Sequence, residues 1–133
     1  MEQEAPAPTH KEELMSSLLS CIYFYSALNQ IDPRITHAVI SVESNWNTQA
    51  VGTLNEQGLM QVRPEHVPVS IAQLRDPCTN IKYGTAILKR AMNKCKHQLD
   101  NTWVLCFNLG LAGGKKIKHP KKYPYYLKIV SKL

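Results

Sequence analysis

Acidic side chains are scarce in this 133-residue chain: ten, against sixteen Lys and Arg, for a net charge of +6. Beyond Asp100 there are none, although Lys115, Lys116, Lys118, Lys121, Lys122, Lys128 and Lys132 follow. Four of the ten (Glu2, Glu4, Glu12 and Glu13) fall in the opening segment or the first helical turn. The basic end raises the local concentration of anionic partners, an anionic cell-wall polymer among them. No nucleic-acid recognition motif accompanies the lysines, so no nucleic-acid partner is expected. Long apolar runs are also missing. The longest candidate, 18–28, contains Ser20, Tyr23, Tyr25 and Ser26 and reads as a core helix, so no membrane span is expected. No Cys-x-x-Cys or zinc-type spacing occurs, and neither metal nor cofactor is expected. The four cysteines, Cys21, Cys78, Cys95 and Cys106, allow two disulfides in three connectivities, or serve as small buried hydrophobes. A basic region followed by an apolar one is absent from the start. Met1 to His10, rich in Pro, Ala and Glu, reads as a disordered leader or as a mature N-terminus behind an added Met.

What remains is an ordinary globular composition, 44% apolar and 20% charged, of a size for one domain over 11–133. Leu14, Leu18, Cys21, Ile22, Tyr25 and Leu28 recur at helical steps and predict a helix over 11–29. Asp32-Pro33 opens a second helix running to about Asn45, with Ile35, Ala38, Val39 and Val42 inward. A loop at 47–57 leads to an extended or strand-like piece at 58–62. Pro64 and Pro68 confine 63–69 to turns. Ser70 to Leu74 predicts one helical turn, and Asp76-Pro77 another turn. Thr79 or Asn80 caps a third helix of about fourteen residues, whose internal Gly84 marks a close approach of another backbone. A fourth helix is expected over 102–109, then a glycine loop at Gly110, Gly113 and Gly114. A last helix ends at Ser131 with Leu127 and Val130 inward. The class is mainly α, five to seven helices with at most a short β-hairpin.

The few acids narrow the chemistry. Asp32 and Asp76 precede Pro and read as caps or turn residues, and Glu56 and Glu65 lie in loops. Glu43 alone combines an apolar helix face, a helix C-terminus and an adjoining glycine-containing loop. Both the apolar packing and the helix end disfavour its ionised form, which is what a proton donor at neutral pH needs.

The residues around it carry a resemblance. Glu43-Ser44-x-Trp46-Asn47, Ala50-Val51 and Gly58-Leu59-Met60-Gln61-Val62-x-Pro64 resemble the signature of lytic transglycosylases, the goose-lysozyme-like group of glycoside hydrolase family 23. Asp76-Pro77-Cys78-Thr79-Asn80-Ile81-x-x-Gly84, Phe107-Asn108-x-Gly110 and Tyr126-Leu127-x-x-Val130 follow in the family's order. The Cys21 start and the Asp-Pro-Cys block look most like the small transglycosylases that accompany secretion, conjugation and pilus machines. The resemblance implies a lysozyme-like single domain acting on peptidoglycan glycan strands. Glu43 would protonate the leaving oxygen of the MurNAc-β-1,4-GlcNAc bond, then act as base on the muramyl 6-hydroxyl. The product is a 1,6-anhydro end. An intramolecular hydroxyl is already positioned, so no second carboxylate is required.

By the same resemblance Ser44 orients the loop, Met60 and Gln61 line the sugar floor, Asn108 bonds an N-acetyl or main-chain group, and Tyr126 hydrogen-bonds Glu43. It also implies Cys21–Cys78, leaving Cys95–Cys106, and with them an oxidising compartment such as the periplasm, or delivery to the wall by phage. A monomer is expected. The chain departs from the family at Gly52 (usually Ser), Asn55 (usually Gly), Phe107 (usually Tyr) and Lys122-Tyr123 (usually Glu-Thr). Arg63 stands where the hydrolysing goose-type enzymes carry Asp. Three other readings compete: a phage-borne or lysozyme-like muramidase, which Arg63 and the lack of a second well-placed acid oppose; a non-cutting peptidoglycan-binding module, which an intact Glu43 opposes; and, more distantly, a basic nucleic-acid-binding domain, which has lysines but no recognition motif.

Overall fold

The computed structural model describes residues 4–95, 103–108, 119 and 122–133. The glycine loop and Lys115, Lys116, Lys118 and Lys121 lie outside the described residues, as do the connection at 96–102 and Leu109. Among the described residues the architecture is mainly helical and without named strands.

α1 (His10–Leu28) starts one residue earlier than the periodicity predicts, because Thr9 closes a capping box. The Glu12 amide donates to Thr9 Oγ1 (3.1 Å) and the Thr9 amide to Glu12 Oε2 (3.4 Å). The expected apolar stripe is only partly used. Ile22 is buried with Leu18, Cys21 and Tyr25 against the core, whereas Leu14 is 58% and Leu28 67% exposed. Residues 10–17 are exposed throughout, so the first half of the helix has no packing partner among the described residues. Counting apolar residues also overlooks Ser26. It is fully buried because its hydroxyl meets Thr36 Oγ1 at 2.7 Å, a satisfied polar pair between α1 and α2.

α2 (Pro33–Ser44) begins as expected, with Asp32 as cap and Pro33 in the first turn. It buries Thr36, Ala38, Val39 and Ile40, with Ile35 and Val42 partly packed. Asn45 (φ 49°) and Trp46 (φ 66°) are both left-handed, so the chain reverses within two residues of Glu43. The Trp46 ring then packs on His37, one face of α2, at 4.6 Å between centroids.

The segment 58–62 is a turn, not the extended piece expected. Single antiparallel bridges join Val51 to Gln57 and Gln57 to Val62. Between them Gly58 (φ 72°) and Gln61 (φ 51°) are left-handed, which no strand permits. Asn55 has a positive φ (64°), a conformation that Asn tolerates better than most residues with a side chain. A 3-10 turn (Pro64–His66) and α3 (Ile71–Leu74, capped by Ser70) follow.

α4 (Pro77–Lys94) is 18 residues long and is capped by Asp76, whose Oδ2 accepts from the Thr79 amide (3.0 Å). Asn80, read as a candidate cap, sits inside the helix instead and is fully buried. Its Nδ2 donates to the Gln57 and Leu74 carbonyls (both 2.8 Å) and its Oδ1 accepts from the Met60 amide (2.8 Å). One side chain thus fastens the 57–62 turn to α4. Gly84 lies one turn further along the helix. A Cβ there would stand 2.5 Å from Met60 Sδ and 2.7 Å from Met60 Cβ, so what approaches is the Met60 side chain and not the backbone expected.

Cys21–Cys78 joins α1 to the start of α4 (Cα–Cα 5.5 Å), and Cys95–Cys106 joins the end of α4 to a helical segment at 104–108, α5 (Cα–Cα 6.6 Å). Both pairings are those the resemblance implies, and both spans suit a disulfide. α6 (Pro124–Ser131) buries Tyr125, Tyr126 and Ile129. Leu127, expected inward, is 52% exposed, because the helix turns its tyrosines toward α2.

Candidate active site

α2, the 57–62 turn, the 3-10 turn, α4 and α5 enclose a cavity of about 220 Å³. Glu43 enters from the last turn of α2. Met60, Gln61 and Val62 line it from the turn, Arg63 and His66 from the 3-10 segment, Ile87 and Ala91 from α4, and Cys106, Phe107 and Asn108 from α5. Glu56 completes the lining.

Tyr125 Oη donates to Glu43 Oε2 at 3.0 Å. This corrects the expectation that Tyr126 holds the carboxyl. Adjacent residues on a helix point about 100° apart, so only one of the two can aim its hydroxyl at the Glu43 carboxyl, and the register of α6 selects the first. Burial raises the Glu43 pKa, the Tyr125 hydrogen bond opposes the rise, and the negative charge of Glu56 adds to it, leaving it at about 7. The buried Tyr125 hydroxyl beside a carboxylate is itself pushed well above the usual tyrosine range. It stays a donor at any pH the protein meets.

The other expected site residues divide. Met60 is fully buried, its amide held by Asn80. Gln61 turns its Nε2 back to the Ala50 and Gly58 carbonyls (3.1 and 3.0 Å), which shapes the loop mouth. Asn108 lines the opposite wall. Ser44 does not line the cavity; its hydroxyl donates to the Ile40 carbonyl (3.0 Å) within its own helix. Two contributors escaped the sequence reading. Tyr125 was masked by its neighbour, and the only signal was the Tyr125-Tyr126 pair itself. Glu56 reads in the sequence as a loop acid, although it lies two residues before Gly58, where the chain turns back. Among the described residues no three His, Cys, Asp or Glu side chains converge as a metal site.

A half-buried carboxyl, protonated near neutrality and faced by a tyrosine hydroxyl in a mixed polar and apolar cavity, suits proton transfer to a bound oxygen. Residues 20–128 match the transglycosylase SLT domain. A peptidoglycan-binding-like protein of Escherichia coli O157:H7 is 29% identical over 83% of this chain and 74% of its own length. Membrane-bound lytic murein transglycosylase E of Buchnera aphidicola subsp. Baizongia pistaciae is 27% identical over 71% of this chain and 50% of its own. A transglycosylase of Enterobacteria phage PRD1 is 28% identical over 74% and 37%. With a match across most of its length, and a lysozyme-like α domain built around Glu43, the chain belongs to the transglycosylase SLT domain family.

Proposed function

We propose that this protein is a peptidoglycan lytic transglycosylase that cleaves the MurNAc-β-1,4-GlcNAc bond with Glu43 as its acid and base. The observation that carries this is the Glu43 carboxyl itself, held in the cavity by Tyr125 and raised to a pKa of about 7. In that state it can give its proton to the leaving glycosidic oxygen. The resulting carboxylate then accepts the proton of the muramyl 6-hydroxyl as that oxygen attacks its own anomeric carbon. A 1,6-anhydro end forms, and the acid is regenerated. Gln61, backed by the buried Met60, forms the sugar floor and Asn108 the facing wall. The family match and the lytic murein transglycosylase relative support the substrate class.

One observation favours a second reading, hydrolysis by a muramidase: Glu56 supplies the cavity with another carboxylate, the kind of group that activates water in hydrolysing enzymes. Against it, Arg63 occupies the cavity where the hydrolysing goose-type relatives carry Asp. Digestion of purified peptidoglycan followed by mass spectrometry separates the two. Anhydro-muramyl ends are expected. Reducing ends would replace the proposal with hydrolysis, and no release beside a working control enzyme would leave a binding module. Two disulfides suit an oxidising compartment, and action in the periplasm, opening the wall locally for a secretion, conjugation or pilus apparatus, is the proposed setting. The phage relative supports wall delivery by phage as the competing one. A reporter fusion recovered outside the periplasm in cells free of phage would exclude the first.

A further inference from the structure

Transglycosylation by the route above has no use for Glu56, yet its carboxylate is seated with care. Glu56 Oε1 accepts from the Leu54 amide at 2.7 Å. The same carboxylate lies against Gly52. A Cβ on residue 52 would stand 2.6 Å from Glu56 Oε1 and 2.9 Å from its Cδ, and 2.7 Å from Gln61 Oε1. Any side chain at 52 therefore closes the seat, and the bare Cα of Gly52 is what admits a second acid to the cavity wall. Four residues apart in an irregular loop, Gly52 and Glu56 form one device, joined also by the Gly52 amide donating to the Glu56 carbonyl (2.9 Å).

We propose that Glu56 is a positioning residue that acts through Glu43: its fixed negative charge on the same cavity wall keeps the Glu43 proton in place until the substrate oxygen takes it. This rests on the reading of Glu43 as the acid. Among the described residues the other charged or titratable groups on the cavity are Arg63 and His66, and Tyr125 approaches from α6. The Tyr125 hydrogen bond favours the ionised carboxylate, and the Glu56 charge counters it. Burial does most of the work on Glu43, and Glu56 adds a like-charge increment that a glycine at 52 makes available.

The test reads the Glu43 proton directly. Protein labelled with carbon-13 at the Glu side-chain carboxyl is titrated by NMR, with Glu43 assigned from Glu43→Gln. Glu56→Gln is expected to lower the Glu43 midpoint by on the order of half a pH unit. Gly52→Ala should do the same, because the displaced atoms are the ends of flexible side chains and the fold survives. In peptidoglycan turnover the alkaline limb of kcat/KM should move down with it, costing several-fold in rate above neutrality and little near pH 5. An unmoved midpoint in folded Glu56→Gln overturns the proposal. So does a rate loss equal at all pH values, which makes Glu56 a substrate contact, or a switch in the released ends, which makes it a base for water. The NMR midpoint needs no turnover, so an inactive wild type would sink the transglycosylase reading while leaving this result standing.

Discussion

Glu43 binds its proton more tightly in the folded chain than in the unfolded one, with a pKa of about 7 against 4.5. The native state therefore holds more protons than the unfolded state between those two values. Stability is lost as pH rises from about 4.5 to about 7, and the full cost persists above. Glu43→Gln removes the charge while keeping an acceptor for the Tyr125 hydroxyl. Urea denaturation should find that variant more stable than the wild type by about 2 kcal/mol at pH 8, with the difference fading below pH 4.5. Its release of product from peptidoglycan should fall to background. A variant less stable at pH 8, or one still cutting, would contradict the placement of the carboxyl. Tyr125→Phe gives a second residue-level check. Loss of its hydrogen bond raises the Glu43 pKa further and frees the carboxyl to move, so the alkaline limb should shift up while the rate at neutral pH drops about tenfold. Tyr126→Phe, which leaves that bond intact, should keep the limb where it is. The opposite pattern would restore the sequence-based choice of Tyr126.

At the scale of elements, the site depends on how α4 grips the 57–62 turn. Asn80 holds it with three hydrogen bonds and Gly84 makes room for Met60. Helix propensity alone favours Gly84→Ala by about 1 kcal/mol. Packing opposes it: the new Cβ meets Met60 at its Cβ and Cγ, near a backbone that Asn80 has pinned, so the neighbour cannot give way cheaply. Overpacking of about 1–3 kcal/mol should win, giving a lower urea midpoint together with reduced activity, since Met60 lines the cavity. Gly84→Ala with a raised midpoint would mean that Met60 has another place to go. The helices themselves were legible because capping and apolar spacing are local: Asp32-Pro33, Ser70 and the α2 stripe all read through. What did not read through was set by contacts distant in sequence. Ser26 is buried only because Thr36 answers its hydroxyl. Asn80 looks like a cap until the turn it serves is folded onto it. The register of α6, which hands Glu43 to Tyr125 and leaves Leu127 in solvent, is fixed by α2 and not by its own eight residues.

For the whole molecule, the two disulfides do different things. Cys21–Cys78 spans 57 residues and ties α1, whose first half is unsupported among the described residues, to the head of α4. Cys95–Cys106 spans 11 residues and carries α5, hence Phe107 and Asn108, to the tail of the same helix. Loop-closure entropy in the unfolded chain grows with the logarithm of loop length, which gives about 4 kcal/mol for the first and about 3 kcal/mol for the second. The longer one is therefore chiefly a stability device, remote from the cavity lining. The shorter one adds a wall to the cavity, and Cys106 is part of that wall. Replacing Cys21 and Cys78 together by Ala should lower the melting temperature strongly, yet leave kcat/KM on peptidoglycan near wild type at temperatures where the protein is folded. Replacing Cys95 and Cys106 together by Ala should cost less in melting temperature and more in KM, because the Asn108 wall is no longer held. Thermal denaturation paired with turnover on both double variants checks this. A long-loop variant that loses activity while folded, or a short-loop variant with unchanged KM, would show that the cavity does not take its second wall from this covalent tie.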